Sequence, residues 1–316
     1  MNMNPVNKTV IIIPIYHPDG KFIQLLKMLK HQKSLRFDVY IIQTGLCRLD
    51  YKQYLDGFSY TIKYIKPTEF NHGRTRRLAA LDCRNYEFLV YMTQDAVPAN
   101  EFSILNLLKC FDDSKVGCCF GRQIPNKDAN PLAAFAREFN YPKKSYIMDI
   151  RDIKRYGIKT SFLSDTFAAY RNTALMAVGG FPDDVILGED AVVASRMILS
   201  GWKKAYCAEA EVYHSHNYSI LQEFRRYFDT GVFHNRNSWI MQKFGKAEGE
   251  GKRYICNECR YLYQNRKLYQ LPRGILTDIC KYIAYNLGKN EKWLTLSLTL
   301  SIKKKCTMTK YYWERK

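Results

Sequence analysis

The sequence predicts an α/β fold in which a mostly parallel sheet is flanked by helices. Three observations support this prediction: short apolar runs recur along the first 120 residues, apolar residues at helical spacing lie between them, and several runs end at Gly or Pro. Strands that alternate with helices pair in parallel, because each helix returns the chain to the same edge of the sheet. Ligands of such sheets bind beyond the carboxyl ends of the strands.

Five strands are predicted in the first half of the chain, at residues 9–16, 38–44, 60–65, 87–92 and 116–120. The first, TVIIIPIY, is apolar and mostly β-branched, which is typical of a central strand buried on both faces. Apolar residues at helical spacing predict helices at 22–29, 74–84 and 105–111. Leu78 and Leu81 are expected on one face of the second helix. Gly121 is expected to close the fifth strand.

The second half changes in character. Helices are predicted at 131–140, 190–199 and 220–233, and strands at 162–170 and 205–214. Ile275, Ile279, Ile283 and Leu287 recur every four residues and indicate an amphipathic helix, whereas residues 294–300 alternate with period two and favour a strand. We expect residues 1–236 to form one domain. Residues 237–316 would be a basic extension that contacts a membrane or a second copy of the chain in a homo-oligomer.

The 316 residues carry a formal net charge of +19, which predicts an anionic partner: nucleic acid, a phosphorylated substrate or an acidic membrane surface. No apolar run approaches the roughly 20 residues that span a bilayer, so membrane contact is expected to be peripheral. The first residues, MNMNPVNK, lack the apolar core of a signal peptide. A cytoplasmic location, with the ten cysteines as free thiols, is therefore expected.

A lone acid, Asp95, follows the fourth predicted strand in the stretch YMTQDAVP, residues 91–98. A carboxylate just beyond a buried strand is well placed to hold a cation. Mg²⁺ usually takes one or two carboxylates together with phosphate oxygens, so a single acid suffices where the substrate brings a diphosphate. The alternative interpretation of Asp95 is an Asx turn or a helix cap before Pro98.

Two further clusters carry side chains suited to chemistry. Glu189 and Asp190 open a predicted helix, where either acid could cap the helix or one could act as a general base. His214 and His216 lie two residues apart, and on an extended strand they point to the same face. One could bind a metal and the other a phosphate; the alternative is a structural role for both.

Two basic segments suit a phosphate or an acceptor. The turn FNHGRTRR at residues 70–77 could bind phosphate through its backbone N–H groups and arginines, and the helix at 223–229 adds Arg225, Arg226 and Tyr227. Solvated basic faces are the alternative for both segments.

Together, and in this order, these clusters resemble a known family. The segments are VIIIPIY, FNHGRTRRLAALD, FLVYMTQDAVPA, GEDAVVASRMILSGWKKAYCAEAEVYHSH and SILQEFRRYFDTGVFH. Within residues 8–240 they resemble the inverting family-2 glycosyltransferases. The resemblance is greatest to the bacterial rhamnosyltransferase branch, which carries TQDA where other members carry Asp-x-Asp.

The resemblance implies a GT-A fold, a nucleotide-sugar donor and a divalent cation, Mg²⁺ or Mn²⁺. It implies that Asp95 and His214 bind the metal, with His216 as the second choice, and that Asp190 is the catalytic base. The donor would be contacted by residues at strand ends and in the basic turn: Pro14, Ile15, Tyr16, Gln43, Arg76, Gln94 and Asp95. Glu189, His216, Arg225, Arg226 and Tyr227 would contact phosphate or acceptor.

The implied reaction moves L-rhamnose from dTDP-L-rhamnose onto a lipid-linked surface glycan, of O-antigen or capsule type, at the inner face of the plasma membrane. The sequence departs from the family pattern at Gln43, Arg74 and Arg77, which bears on the identity of the donor. Transfer of galactose or an N-acetylhexosamine from a UDP-sugar therefore stays an alternative. A nucleic-acid-binding protein and a non-catalytic scaffold are rivals from other classes, but each leaves Asp95 and Asp190 without a role, and no nucleic acid is expected as a partner.

Overall fold

The structure is a computed structural model that describes residues 8–185, 187–245, 249–292 and 300–309. Within them the chain forms a single sheet. Its strands are β1 Thr9–Ile15, β2 Asp38–Thr44, β3 Tyr60–Ile65, β4 Phe88–Met92, β5 Val97–Pro98, β6 Val116–Ile124, β7 Tyr146–Met148, β8 Phe167–Arg171 and β9 Lys203–Tyr213. The α/β fold predicted from the sequence is confirmed.

The strand order is β3-β2-β1-β4-β8-β6-β9-β5, and β7 pairs with β9. Strands β3, β2, β1 and β4 are parallel to one another, as the alternation of strands and helices predicts. Strand β8 is antiparallel to both β4 and β6, while β6 and β9 pair in parallel. The carboxyl ends of β4, β6 and β9 therefore meet at one edge of the sheet, where ligands of α/β folds bind.

Helices cover both faces of this sheet. They are α1 Gly20–Lys30, α2 His72–Asp82, α3 Ser103–Leu108, α4 Pro131–Asn140, α5 Ile153–Tyr156, α6 Asn172–Ala177, α7 Glu189–Leu199, α8 Ile220–Arg236, α9 Ser238–Phe244, α10 Glu250–Gln264, α11 Leu271–Lys289 and α12 Leu300–Cys306. One apolar core lies between the sheet and α1 and α3, and another lies under α2, α6 and α7. Strand β1 contributes to both cores with alternating isoleucines, as expected of a central strand.

A third apolar cluster joins α7 to the C-terminal helices α8, α9 and α11. Helices α8 and α11 approach each other backbone to backbone, since a Cβ on Gly288 would lie 2.0 Å from the Phe228 carbonyl oxygen. Arg236 of α8 also pairs with Glu291 through two hydrogen bonds of 2.6 and 2.9 Å. The helices beyond residue 236 thus pack directly on the preceding part of the chain; the domain boundary itself stays a prediction.

The structure corrects three details of the sequence interpretation. Strand β6 continues through Gly121 to Ile124, because the glycine lets Phe167 and the Ala210 carbonyl approach closely. Leu78 and Leu81 are exposed, and α2 instead buries its small residues and Arg76. The strand predicted at 294–300 falls largely on residues 293–299, outside the described residues, and Leu300 begins α12.

Candidate active site

A cleft of about 720 Å³ opens at the carboxyl edge of the sheet. Its walls come from the segment after β4, from helix α4, from the start of α7, from the segment after β9 and from α8, α10 and α11. Eight of the residues predicted from the sequence line it: Gln94, Asp95, Glu189, Asp190, His214, His216, Arg226 and Tyr227. The cleft therefore gathers acids and histidines that lie up to about 120 positions apart in the chain.

Asp95, His214 and His216 form a cluster at one side of the cleft. The short strand β5 pairs antiparallel with the end of β9, with Val97 opposite Tyr213, and this pairing brings Asp95 to the histidines. The Nε2 atoms of His214 and His216 each lie 3.5 Å from Asp95 Oδ2. One ligand atom from each of the three residues lies within 4.8 Å of the other two, so the cluster could hold a metal ion.

The ring of His214 is oriented by Gln123 at the end of β6. His214 Nδ1 lies 2.8 Å from Gln123 Oε1, an oxygen that also accepts from Arg137. The amide nitrogen of Gln123 donates to Tyr141 and Ser164, so its oxygen is the acceptor and His214 Nδ1 carries the hydrogen. In a neutral ring the lone pair of His214 is then on Nε2, the nitrogen that faces Asp95. Metal-binding histidines are commonly held in this way by a second hydrogen bond.

The charge states of the cluster also suit a cation. Burial acts to raise the pKa of Asp95, but the adjacent His214 and His216 outweigh it and hold the pKa well below its usual range. Burial and the neighbouring His214 lower the pKa of His216 to about 4. At neutral pH the cluster thus combines a carboxylate with an uncharged imidazole at His216. This donor set of one oxygen and two ring nitrogens fits a divalent ion.

Gln94, directly before Asp95, holds the end of the neighbouring strand. Its Oε1 accepts from the Tyr16 N–H at 2.8 Å, and its Nε2 donates to the Tyr16 carbonyl at 3.1 Å. An acid at this position could accept from the N–H but could not donate to the carbonyl when ionised. Gln94 therefore ties the segment after β4 to the segment after β1.

Asp190 lies on another wall of the cleft, in the first turn of α7. The turn begins at Gly188, whose φ of +78° is unfavourable for residues with a side chain. A Cβ at this position would also clash with the Phe233 ring. Asp190 Oδ2 accepts from the Asp165 backbone N–H at 3.1 Å, and Oδ1 accepts from the Ala191 N–H at 2.7 Å. The carboxyl group is thereby fixed while still lining the cleft.

Asp190 is an unusually basic carboxylate. Burial raises its pKa well above the ordinary value, and the charges of Glu189 and Asp165 raise it further. A carboxylate with a raised pKa is a stronger proton acceptor than an ordinary aspartate, which is the property required of a general base.

A buried arginine balances the two acids beside Asp190. Arg76 Nε lies 2.8 Å from Asp165 Oδ2, and Arg76 Nη1 lies 2.9 Å from Glu189 Oε1. Tyr170 donates a further hydrogen bond to Asp165 at 2.5 Å. Asp165 and Gln123 were not predicted from the sequence. Neither lies in a motif, and each contacts its partners only because the fold brings distant segments of the chain together.

The remaining predicted residues are not part of the cleft lining. The Ile15 side chain is buried in the core, Tyr16 is 41% exposed, and Pro14 lies beside them at the end of β1. Gln43 is buried and bonds to Gly45 and Tyr51. Arg225 is partly buried on α8, outside the cleft lining. Donor contacts by these residues and by Arg76 stay predictions.

Arg226 and Tyr227 line the cleft from helix α8. Arg226 pairs with Glu223 at 3.3 Å and lies over the rings of Tyr218 and Tyr227 at 5.8 and 5.2 Å. Tyr218 in turn stacks on His216, with ring centroids 4.9 Å apart. The rings of His216, Tyr218 and Tyr227, with the Arg226 guanidinium between the two tyrosines, thus connect the Asp95 cluster with helix α8.

Comparisons with known proteins agree with this geometry. The model of glycosyl transferase family 2 matches residues 10–179. The O-antigen chain rhamnosyltransferase WbaN of Salmonella anatum is 47% identical over 81% of this chain and 80% of its own length. The O-antigen chain rhamnosyltransferase RfbN of Salmonella typhimurium is 42% identical over 97% of this chain and 96% of its own.

Solved structures share the fold at low sequence identity. The mannosyltransferase PcManGT from Pyrobaculum calidifontis, in complex with GDP-Man and Mn²⁺, has a TM-score of 0.54 at 16% identity, covering 98% of this chain and 85% of that one. TarS of S. aureus in complex with UDP-GlcNAc has a TM-score of 0.54 at 14% identity, covering 98% and 90%. The match to the family model and the two close relatives together place this chain in glycosyl transferase family 2.

Proposed function

We propose that the protein transfers L-rhamnose from a nucleoside diphosphate donor to a growing O-antigen chain, with inversion at the anomeric carbon. The proposal takes its sugar and acceptor from the two O-antigen chain rhamnosyltransferases that resemble nearly the whole chain. The donor implied by the sequence resemblance is dTDP-L-rhamnose. The observation that carries the mechanism is the single cleft lined by both the Asp95 cluster and Asp190.

In this mechanism Asp190 acts as the general base. An acceptor hydroxyl gives its proton to Asp190 as its oxygen bonds to the anomeric carbon of the donor. The bond from that carbon to the diphosphate breaks on the opposite face, and the nucleoside diphosphate leaves with the electron pair. The backbone N–H groups of Asp165 and Ala191 hold the Asp190 carboxyl group in place during the transfer.

Asp95, His214 and His216 would hold the divalent cation. When bound, such an ion stabilises the negative charge of the departing diphosphate. The two imidazoles favour Mn²⁺ over Mg²⁺, because Mg²⁺ prefers an all-oxygen shell. Gln123 contributes by holding the His214 ring with Nε2 toward Asp95.

We also place the protein on the inner face of the membrane, where a lipid-linked acceptor would be met. Of the helices in the described ranges, none combines the length and apolar character that a bilayer span requires. Helix α11, however, exposes Ile275, Ile279 and Ile283 along one side, each about half accessible. An exposed apolar stripe on a basic chain suits the surface of an anionic membrane.

The proposal is tested by incubating the purified protein with a panel of nucleotide sugars, each with and without Mn²⁺. We expect dTDP-L-rhamnose with Mn²⁺ to raise the melting temperature and to be hydrolysed slowly. A response only to UDP-galactose or a UDP-N-acetylhexosamine would replace rhamnose as the donor sugar. No response to any donor, in either condition, would contradict the proposal.

A further inference from the structure

The cleft is lined not only by the Asp95 cluster and Asp190 but also by residues of helices α8, α10 and α11. We call the part lined by these three helices the helical end of the cleft. It is lined by aromatic and polar side chains from all three helices: Glu223, Arg226, Tyr227, Thr230, Tyr254, Glu258, Arg273, Thr277 and Lys281. Two of these, Glu258 and Thr277, are buried, at 4% and 8% exposure, whereas Arg273 is exposed.

The helical end packs closely against the rest of the fold. Tyr254 of α10 packs against Phe135 and Phe139 of α4, with ring centroids 4.9 and 5.1 Å apart. Helix α11 is fixed to α8 at Gly288, as described above. At Gly274 of α11, a Cβ would lie 2.5 Å from Glu258 Oε1, so the glycine leaves the space that this carboxyl group occupies.

Two of the three cations that line the helical end are paired with acids, and the third, Arg273, is exposed to solvent. Arg226 pairs with Glu223 at 3.3 Å, and Lys281 pairs with Asp278 at 3.3 Å. Lys281 also lies over the rings of Tyr227 and Tyr254, at 5.5 and 5.1 Å. Burial, with Asp278 nearby, raises the pKa of Glu258 to about 7, so this carboxyl group is partly uncharged at neutral pH.

The two ends of the cleft therefore differ in the ligand chemistry that they favour. The Asp95 cluster suits a cation and, with it, a diphosphate. At the helical end an anion would have to compete with Glu223 for Arg226 and with Asp278 for Lys281, whereas hydroxyl groups can share hydrogen bonds with paired charges. Aromatic rings interspersed with a few polar groups form the usual lining of a site for an uncharged ring with apolar and polar faces.

We propose that the helical end of the cleft is the acceptor subsite and that it binds an uncharged pyranose residue of the acceptor glycan. The inference rests on the proposed function, because a transferase requires a place for the acceptor beside its base. Asp190 and the helical end line the same cleft, so a sugar held there can present a hydroxyl to Asp190. Tyr254, Glu258 and Lys281 are the acceptor-binding residues in this proposal.

Binding of simple sugars tests the inference without knowledge of the natural acceptor. The probes are the methyl α-pyranosides of glucose, galactose and mannose, followed by saturation-transfer NMR on the full chain. We expect at least one to bind the unaltered protein. Glu258→Gln, which keeps the side-chain shape, and Tyr254→Ala should each weaken that binding roughly tenfold, equivalent to about 1.4 kcal/mol.

Tyr263→Ala is the matched control, because Tyr263 lies on the same helix α10 and is 71% exposed. It should leave sugar binding unchanged. The proposed subsite would be wrong if none of the three pyranosides bound. It would also be wrong if the Glu258→Gln and Tyr254→Ala variants bound the sugar as well as the unaltered protein does. Displacement of a bound pyranoside by inorganic pyrophosphate without metal would also overturn it, since the helical end would then bind anions.

Donor binding separates this inference from the proposed function. The shift in melting temperature on adding dTDP-L-rhamnose and Mn²⁺ measures donor binding at the Asp95 cluster. This shift should be the same in Glu258→Gln as in the unaltered protein. If the donor binds but the pyranoside results fail, the acceptor subsite is wrong and the proposed transfer stands. If no nucleotide sugar binds while Glu258→Gln still weakens pyranoside binding, the sugar site stands and the proposed function is wrong.

Discussion

His214 Nδ1 lies 2.8 Å from the Gln123 side-chain oxygen, and this contact decides which ring nitrogen of His214 faces Asp95. The oxygen is fixed as an acceptor because the amide nitrogen of Gln123 donates to Tyr141 and Ser164. A residue at the end of β6 thus controls a candidate metal ligand 91 positions later in the chain.

Replacing Gln123 by methionine should therefore weaken metal binding. Met is similar in length but lacks the acceptor, so the His214 ring loses its fixed orientation. Second hydrogen bonds of this kind contribute roughly 10–100-fold to metal affinity. Titration of Mn²⁺ by electron paramagnetic resonance measures the loss. The exposed Gln53→Met serves as the control and should bind Mn²⁺ normally. Unchanged affinity in Gln123→Met would mean that His214 does not bind the ion.

The pH dependence of transfer should reflect the raised pKa of Asp190. A general base is active only when deprotonated, so a raised pKa moves the acidic limb of the kcat/KM profile to higher pH. Glu189→Gln removes one of the charges that raise this pKa, and the limb should move to lower pH. Profiles of the two proteins at constant ionic strength provide the measurement. If the acidic limb of the Glu189→Gln profile stayed at the same pH or moved to higher pH, Asp190 would be excluded as the titrating base.

The close packing of α8 on α11 predicts that a glycine-to-alanine substitution has different effects on stability at two positions. Gly288→Ala places a Cβ about 2.0 Å from the Phe228 carbonyl oxygen, and the resulting overpacking should cost roughly 1–3 kcal/mol. Gly251→Ala, in the first turn of α10 with open space around it, should be neutral or slightly stabilising. Urea denaturation measures both free energies of unfolding. Equal stability of the two variants would show that α8 and α11 are not in contact as described.

Membrane association should depend on the exposed side of α11. The combined variant Ile275→Gln, Ile279→Gln and Ile283→Gln keeps good helix formers while removing the apolar stripe. We expect its binding to anionic phosphatidylglycerol vesicles to fall roughly 10–100-fold, because each isoleucine inserted into the interface contributes a fraction of its transfer free energy. Vesicle flotation measures the change. Binding equal to that of the unaltered protein would remove α11 as the membrane contact.

The sequence predicted those parts of the protein that depend on local pattern. The bounds of β2 and β3 match the predicted ranges, since strand-forming runs and glycine turns are short-range signals. Helix α11 was also predicted from its isoleucine spacing, yet those isoleucines face outward, and the residues that the helix buries are Gly274, Thr277, Ala284 and Gly288. A spacing pattern reveals a helix but not which of its sides meets the rest of the protein.

The candidate site likewise contains residues that the sequence predicts and residues that only the structure reveals. Asp95, Asp190 and His214 lie in short motifs at element ends and could be found from the sequence. Asp165 and Gln123 could not, because Asp165 meets Arg76 from 89 positions away and Gln123 meets His214 from 91. Such contacts are created by the inserted antiparallel strand β8 and by the pairing of β6 with β9. Their geometry is a property of the fold rather than of any local spacing.

The role of Asp190 is tested most directly by Asp190→Asn. The amide can accept only one of the two backbone hydrogen bonds from Asp165 and Ala191, so transfer and binding should be measured well below the melting temperature of the variant. We predict that rhamnose transfer falls by at least roughly 10²–10⁴-fold, while thermal stabilisation by dTDP-L-rhamnose and Mn²⁺ is retained. Transfer at the original rate, or loss of donor binding together with transfer, would contradict the assignment of Asp190 as the base.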